Sequence, residues 1–130
     1  MRWLGGLLVA CVLAGACTPE EWQQVCEVAA PQQRVQTHDV CRWLPVVAER
    51  WPVEEWGNAL VIIAWESGGR PDAVNWGDPN GGSHGLFQIN GVHGYTRAEL
   101  VDPGKNMDAA YALWLEKGWK PWAAKRFLGR

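Results

Sequence analysis

Apolar residues are unevenly spread along this chain. The densest run is Ala59-Leu60-Val61-Ile62-Ile63-Ala64-Trp65, followed at once by Glu66-Ser67-Gly68-Gly69. A helix that is apolar on nearly every face is buried nearly all round. Pro52 suits the first turn of such a helix, where a missing N–H does no harm. Glu54 and Glu55 lie well against its dipole, and Gly68 or Gly69 ends it. A second strong pattern lies downstream. Met107, Ala110, Tyr111, Trp114 and Leu115 recur at helical spacing. Asp102 caps this helix, Pro103 takes its first position, and Gly118 stops it. Trp119, Trp122, Phe127 and Leu128 make an apolar tail.

The remaining elements are weaker. Trp22, Val25, Cys26 and Ala29 fall at helical spacing until Pro31, and residues 32–37 read as a polar connector. Asp39 is a candidate cap for a helix through Val40-Cys41-Arg42-Trp43-Leu44, which Pro45 interrupts. Val46, Val47 and Trp51 continue its apolar face. Residues 70–94 are dense in Gly, Pro, Asn and Asp, which predicts an irregular loop or small hairpin beside the central helix. Within it Leu86-Phe87-Gln88-Ile89-Asn90 fits a short strand or the first turn of a helix. The fold class is mainly α, with an α+β character: helices around a cleft that a short loop or hairpin completes.

At 130 residues and a formal net charge of −2, the chain has room for one small domain. It carries no field that would attract nucleic acid, and a single copy is expected. Ten tryptophans are far more than a core this size needs. Some are therefore expected in a cleft, where a flat ring can stack on a ligand. The start reads as an export signal over residues 1–16: Arg2, an uncharged stretch of roughly 13 residues, and Ala14-Gly15-Ala16. That stretch falls short of the ~20 residues a membrane-spanning helix needs. Residues 17–37 read as an N-terminal segment or linker and residues 38–130 as the domain. Ala14-Gly15-Ala16-Cys17 also resembles a bacterial lipobox, with Ala14 where Leu is usual. A membrane tether through a lipidated Cys17 and plain secretion both stay open, and the location is secreted or cell-envelope. With Cys11 inside the signal, Cys26 and Cys41 remain for the mature domain. They are candidates for a disulfide in an oxidising compartment, with metal ligation as the lesser reading.

The candidate chemistry centres on Glu66. It is the only charged side chain between Glu55 and Arg70, and it closes a buried helix. A desolvated carboxyl keeps its proton to higher pH, which suits it to donate that proton to a leaving group. The plainer reading is a structural acid that caps something or pairs with an arginine.

Four motifs in order decide between these. Glu66-Ser67, Ala73-Val74-Asn75, Gly85-Leu86-Phe87-Gln88 and Asn106-Met107 resemble the signatures of the soluble lytic transglycosylase family and its goose-type lysozyme relatives. Gly118-Trp119-Lys120-Pro121-Trp122 resembles the close of small actinobacterial or phage lysozyme-like domains. The resemblance spans about Trp51 to Trp122. It implies a lysozyme-like fold acting on peptidoglycan glycan strands at the MurNAc–GlcNAc β-1,4 bond, without a cofactor. Glu66 takes the catalytic general acid/base position. Asn75 and Gln88 take substrate-binding positions, Ser67 stands at the helix end beside the acid, and Asn90 stands where Met is frequent. The family's Tyr near the later helix has no clean counterpart; Leu113 or Trp114 occupies that neighbourhood.

Asp72 and Asp78 are the candidate second carboxylates that two-carboxylate hydrolysis requires. Turn-forming Asp explains each more simply, so transglycosylation leads and hydrolysis is second. Metal readings fail on spacing: His84, His93 and Asp78 match no ligand motif, and Asp78-Pro79-Asn80-Gly81-Gly82 lacks the bidentate Glu of a calcium loop. A non-catalytic glycan-binding module and an envelope interaction protein are the readings from other classes.

Overall fold

The computed structural model describes residue 18, residues 21–24, residue 26 and residues 32–128. The expected export signal at 1–16, Cys17 and residues 27–31 lie outside these. Residues 21–24 and 26 are helical, as the spacing of Trp22 and Cys26 predicts. No helix among the described residues is long and apolar enough to cross a membrane.

The order of elements is α1 (Gln33–Thr37), a 3₁₀ turn (Cys41–Trp43), α2 (Leu44–Ala48), α3 (Val53–Glu66), β1 (Val74–Asn75), β2 (Ser83–His84), β3 (Ile89–Asn90), a 3₁₀ turn (Gly91–His93), α4 (Arg97–Leu100), α5 (Pro103–Lys117) and a closing 3₁₀ turn (Ala123–Phe127). Helix α3 is the central post. Eight of its fourteen residues are buried, Leu60, Ile62 and Ile63 completely. Helices α1, α2 and the closing 3₁₀ turn pack against it. Pro52 is its N-cap rather than a residue of its first turn, and Ser67 is its C-cap. Gly68 and Gly69 then turn the chain at positive φ, the conformation that glycine adopts without a Cβ penalty.

The departures from the sequence reading have local causes. The polar connector at 33–37 is helical because Val35 anchors it, fully buried, against α3; one apolar residue in five escapes a periodicity search. Asp39 caps nothing. Its φ is +53, and the chain instead enters a 3₁₀ turn whose Trp43 leads into α2, with Pro45 in that helix's first turn. Pro45 thus starts a helix where it was expected to break one. Leu115 is 63% exposed, so the apolar stripe of α5 ends at Trp114, which still packs against the core. Helix α4 was unforeseen, although Thr96 and Glu99 form a full capping box at its start.

Cys26 and Cys41 form a disulfide that closes a 15-residue separation and joins the N-terminal helical residues to the body of the domain. A loop of that length contributes about 3 kcal/mol by restricting the unfolded chain. Reduction, or Cys41→Ser, is therefore expected to lower the unfolding free energy by about that amount. Urea unfolding with and without reductant checks this.

Candidate active site

The loop between α3 and α4 folds into a three-stranded antiparallel sheet, in the order β1-β2-β3. Val74 faces His84, and Ser83 faces Asn90. With only two residues per strand, this sheet cannot hold its shape by ladder bonds alone. Side chains fix it instead. Asn90 Nδ2 donates to the carbonyls of Pro79 (2.8 Å) and Gly82 (3.1 Å) and to Ser83 Oγ (3.2 Å), while its Oδ1 accepts from the Val92 N–H (3.0 Å). Behind the sheet, Asn106 on α5 is fully buried. Its Oδ1 accepts from the Phe87 N–H, and its Nδ2 donates to the carbonyls of His84 and Leu100, each at 2.9 Å. Gly85 passes directly over that amide at φ +80, and any Cβ there would collide with Asn106 Nδ2 and the Leu100 carbonyl. The Gly85-Leu86-Phe87-Gln88 motif is thus a backbone turn moulded onto the buried amide of the Asn106-Met107 motif.

In front of the sheet lies an open cavity of about 340 Å³. Glu66 reaches it from the end of α3, and Asp78, Ser83, Gln88 and Asn90 reach it from the loop and sheet. Leu113 of α5 and Pro121, Trp122 and Ala123 of the tail complete the wall. The tail is held there by Trp122, whose indole N–H donates to the Phe87 carbonyl at 2.9 Å.

The Glu66 carboxyl is pushed above the ordinary carboxylate range, first by burial and second by the negative charge of Asp78. The backbone N–H of Ala124, which donates to it, opposes this in part. No arginine or lysine pairs with Glu66 among the described residues, so the plain structural-ion-pair account of this acid does not hold. An acid in this setting can carry a proton at the edge of a cleft and give it up to a neighbouring oxygen.

The sequence-selected residues divide by position. Glu66, Gln88 and Asn90 share the cavity. Gln88 sits at φ +50, a conformation that costs a non-glycine residue about 1 kcal/mol or more and is held only when its surroundings impose it. Its Nε2 is tied to the carbonyls of Ala73 (3.1 Å) and Gly85 (3.0 Å), which leaves its Oε1 free of any partner among the described residues. Asn90 has both amide atoms committed to the loop it shapes. Asn75 does not line the cavity: its Oδ1 accepts from the Gly77 N–H (3.0 Å), and its Nδ2 donates to Asp78 Oδ1 (3.2 Å). It therefore touches the site through Asp78.

Ser67 is 3% exposed. Its hydroxyl donates to the Ile63 carbonyl and accepts from the Gly69 N–H, both at 3.1 Å. It fastens the helix end that carries Glu66. Asp72 does not line the cavity, and Asp78 does. Leu113 gives an apolar wall in the neighbourhood where the resemblance leads one to look for a tyrosine. The tail residues 121–123 went unselected because nothing in an apolar tail tells a core residue from a cleft residue. Trp76, 65% exposed beside the cleft-forming loop, is steadied by the edge of His84 at 5.2 Å and the Arg97 guanidinium at 5.6 Å. No group of His, Cys, Asp and Glu among the described residues is arranged to hold a metal ion.

A family model for a lysozyme-like domain matches residues 56–124. The match runs from Trp56 in α3, through the sheet and α5, to Ala124, and takes in every residue lining the cavity. Neither a curated protein nor a solved structure matches the chain.

Proposed function

Because the chain belongs to the family of lysozyme-like domains, we propose that it cleaves peptidoglycan glycan strands, as a lytic transglycosylase acting on the MurNAc–GlcNAc β-1,4 bond. The observation that carries this reading is Glu66: a partly buried carboxyl with a raised pKa, unpaired with any cation among the described residues, at the wall of an open cavity. In this reading the protonated carboxyl gives its proton to the glycosidic oxygen as the bond to the sugar's anomeric carbon breaks. The resulting carboxylate then takes the proton of the sugar's own 6-hydroxyl as that oxygen closes on the anomeric carbon. The product carries a 1,6-anhydro end, and Glu66 returns to its protonated state. Gln88, with its Oε1 unoccupied, binds the sugar or its N-acetyl group. Asn90 and Asn75 support binding by shaping the loop and orienting Asp78, and Ser67 holds the acid in place. An export signal at 1–16 ahead of the domain fits an enzyme delivered to the cell envelope, either secreted or tethered through Cys17.

Hydrolysis is the second reading, and Asp78 favours it. It shares the cavity with Glu66, is oriented by Asn75, and presses on the acid electrostatically. Such a carboxylate can activate a water or stabilise a developing cation. Mass spectrometry of released muropeptides separates the two, since anhydro ends mark transglycosylation and reducing ends mark hydrolysis. Asp78→Asn adds a kinetic test. Removing its charge lets the Glu66 pKa fall toward the ordinary range, so the alkaline limb of the pH–rate profile moves to lower pH. If Asp78 only tunes the acid, that shift is the main effect. If it is a catalytic partner, the rate also falls at every pH by about a hundredfold or more. A limb that stays put or moves upward refutes the coupling.

A further inference from the structure

A second cavity, of about 420 Å³, borders the Glu66 helix end. It is lined by Arg34, His38, Trp65, Glu66, Ser67, Gly68 and Arg70, so Glu66 belongs to both openings. For a chain with a net charge of −2, this is an unusual concentration of cationic side chains.

The two arginines are held in place without being used up. Arg34 Nε donates to the Ala64 carbonyl at 3.2 Å, and its guanidinium lies 4.2 Å over the Trp65 ring. Arg70 Nε donates to the Ser67 carbonyl at 3.2 Å. Capping of the α3 C-terminus explains the two Nε atoms. It does not explain the terminal nitrogens, which no hydrogen bond or ion pair among the described residues engages. Asp39, the nearest acid in sequence to His38, turns instead to Arg42 at 3.8 Å. Trp65 is itself braced by Phe127, stacked at 3.8 Å, and by Gln32 Oε1, which accepts its indole N–H at 3.1 Å. Two preset guanidinium forks suit a planar carboxylate, because an arginine fork matches a carboxylate in a bidentate way.

We propose that this cavity is a carboxylate-binding subsite for the acidic peptide carried by the glycan strand, with Arg34 and Arg70 as its recognition residues. This inference rests on the glycan-cleaving reading: a strand lying across Glu66 would bring its peptide substituent into the second opening. A phosphate group would use the same positive charges, and the test separates the two sources.

The test measures binding to the intact full chain by calorimetry or NMR titration. The probes are a short stem-type peptide with free carboxylates, the same peptide with those carboxylates capped as amides, and inorganic phosphate. The free-acid peptide is expected to bind at least about tenfold tighter than the amide, as loss of a charge-assisted pair implies. Arg34→Gln and Arg70→Gln are each expected to erase most of that difference. The comparison of acid and amide peptides on the unaltered protein stands even if a variant fails to fold. Equal binding of acid and amide, equal binding by unaltered protein and variants, or tighter binding of phosphate overturns the assignment. Peptide discrimination without glycan cleavage would sink the enzyme reading and leave the subsite standing. Cleavage without discrimination would do the reverse.

Discussion

Glu66→Gln is expected to reduce glycan cleavage by about a hundred- to ten-thousandfold, the usual contribution of one positioned acid/base group, while leaving the fold intact. Glutamine fills the same space and can still accept from the Ala124 N–H, but it has no proton to give a glycosidic oxygen. The variant also makes a stability prediction of definite sign. A raised carboxyl pKa means that the folded state holds its proton more firmly than the unfolded chain does. That preference stabilises the fold below the ordinary carboxyl range and is lost as pH climbs through the folded value. Above the folded value the native protein bears a charge that burial and Asp78 disfavour. Glu66→Gln removes that burden, so it should melt at or above the wild-type temperature near pH 7. This is the trade of stability for activity seen where a site is strained for its task. Muropeptide release from purified peptidoglycan, with thermal melts at pH 5 and pH 8, reads both effects. Cleavage equal to wild type would remove Glu66 from the acid's role, and a variant that melts lower at pH 8 would contradict the electrostatic picture of Glu66.

Asn106→Ala should be the most damaging single polar substitution outside the cavity. Three backbone groups depend on this one amide: the Phe87 N–H and the carbonyls of His84 and Leu100. The site is fully buried, so water does not readily replace what is removed. Leaving a buried polar group unpaired costs about 1–3 kcal/mol, and three such groups make a total of roughly 3–5 kcal/mol reasonable. For a domain of this size, that corresponds to a drop in melting temperature on the order of 15 °C. Asn106→Asp sharpens the prediction. A carboxylate can still accept from Phe87 but can donate to neither carbonyl, so this near-isosteric change should also destabilise strongly. A melting temperature within a few degrees of wild type for both variants would mean that the turn at Gly85 holds itself. Because that turn carries Gln88 into the cavity, surviving protein should also lose cleavage activity.

The strong helices were legible in the sequence because their signals are redundant. For α3, a continuous apolar run, a proline at the start and two glycines after the end all agree, and for α5 an Asp cap, Pro103 and Gly118 agree. The short elements were not. Helix α1 depends on one buried valine against α3, and the two-residue strands depend on amide side chains reaching across the loop. Such contacts join residues distant in sequence and leave no periodicity to find. The site shows the same division. Glu66 stood out because an isolated charge in an apolar helix is visible in one dimension. Asp78 and Asp72 looked alike as turn residues, and only the folded loop puts Asp78 at the cavity and leaves Asp72 out of it. Asn90 looked like a ligand contact, and its bonds show a brace for the loop. Asn106 enters the sequence reading only as part of the Asn106-Met107 motif, yet it is the peg on which the Gln88 turn hangs.

The tail that closes the groove has a consequence for the order in which competence arises. Glu66 sits mid-chain, but its backbone donor is Ala124, and Trp122 hangs that tail from Phe87. A nascent or clipped chain ending before this stretch can build the central post and still lack a finished acid. On the glycan-cleaving reading, cleavage thus waits on this stretch, and removing the residues from Lys120 onward would silence the acid and also take Trp122 and Ala124 out of the core.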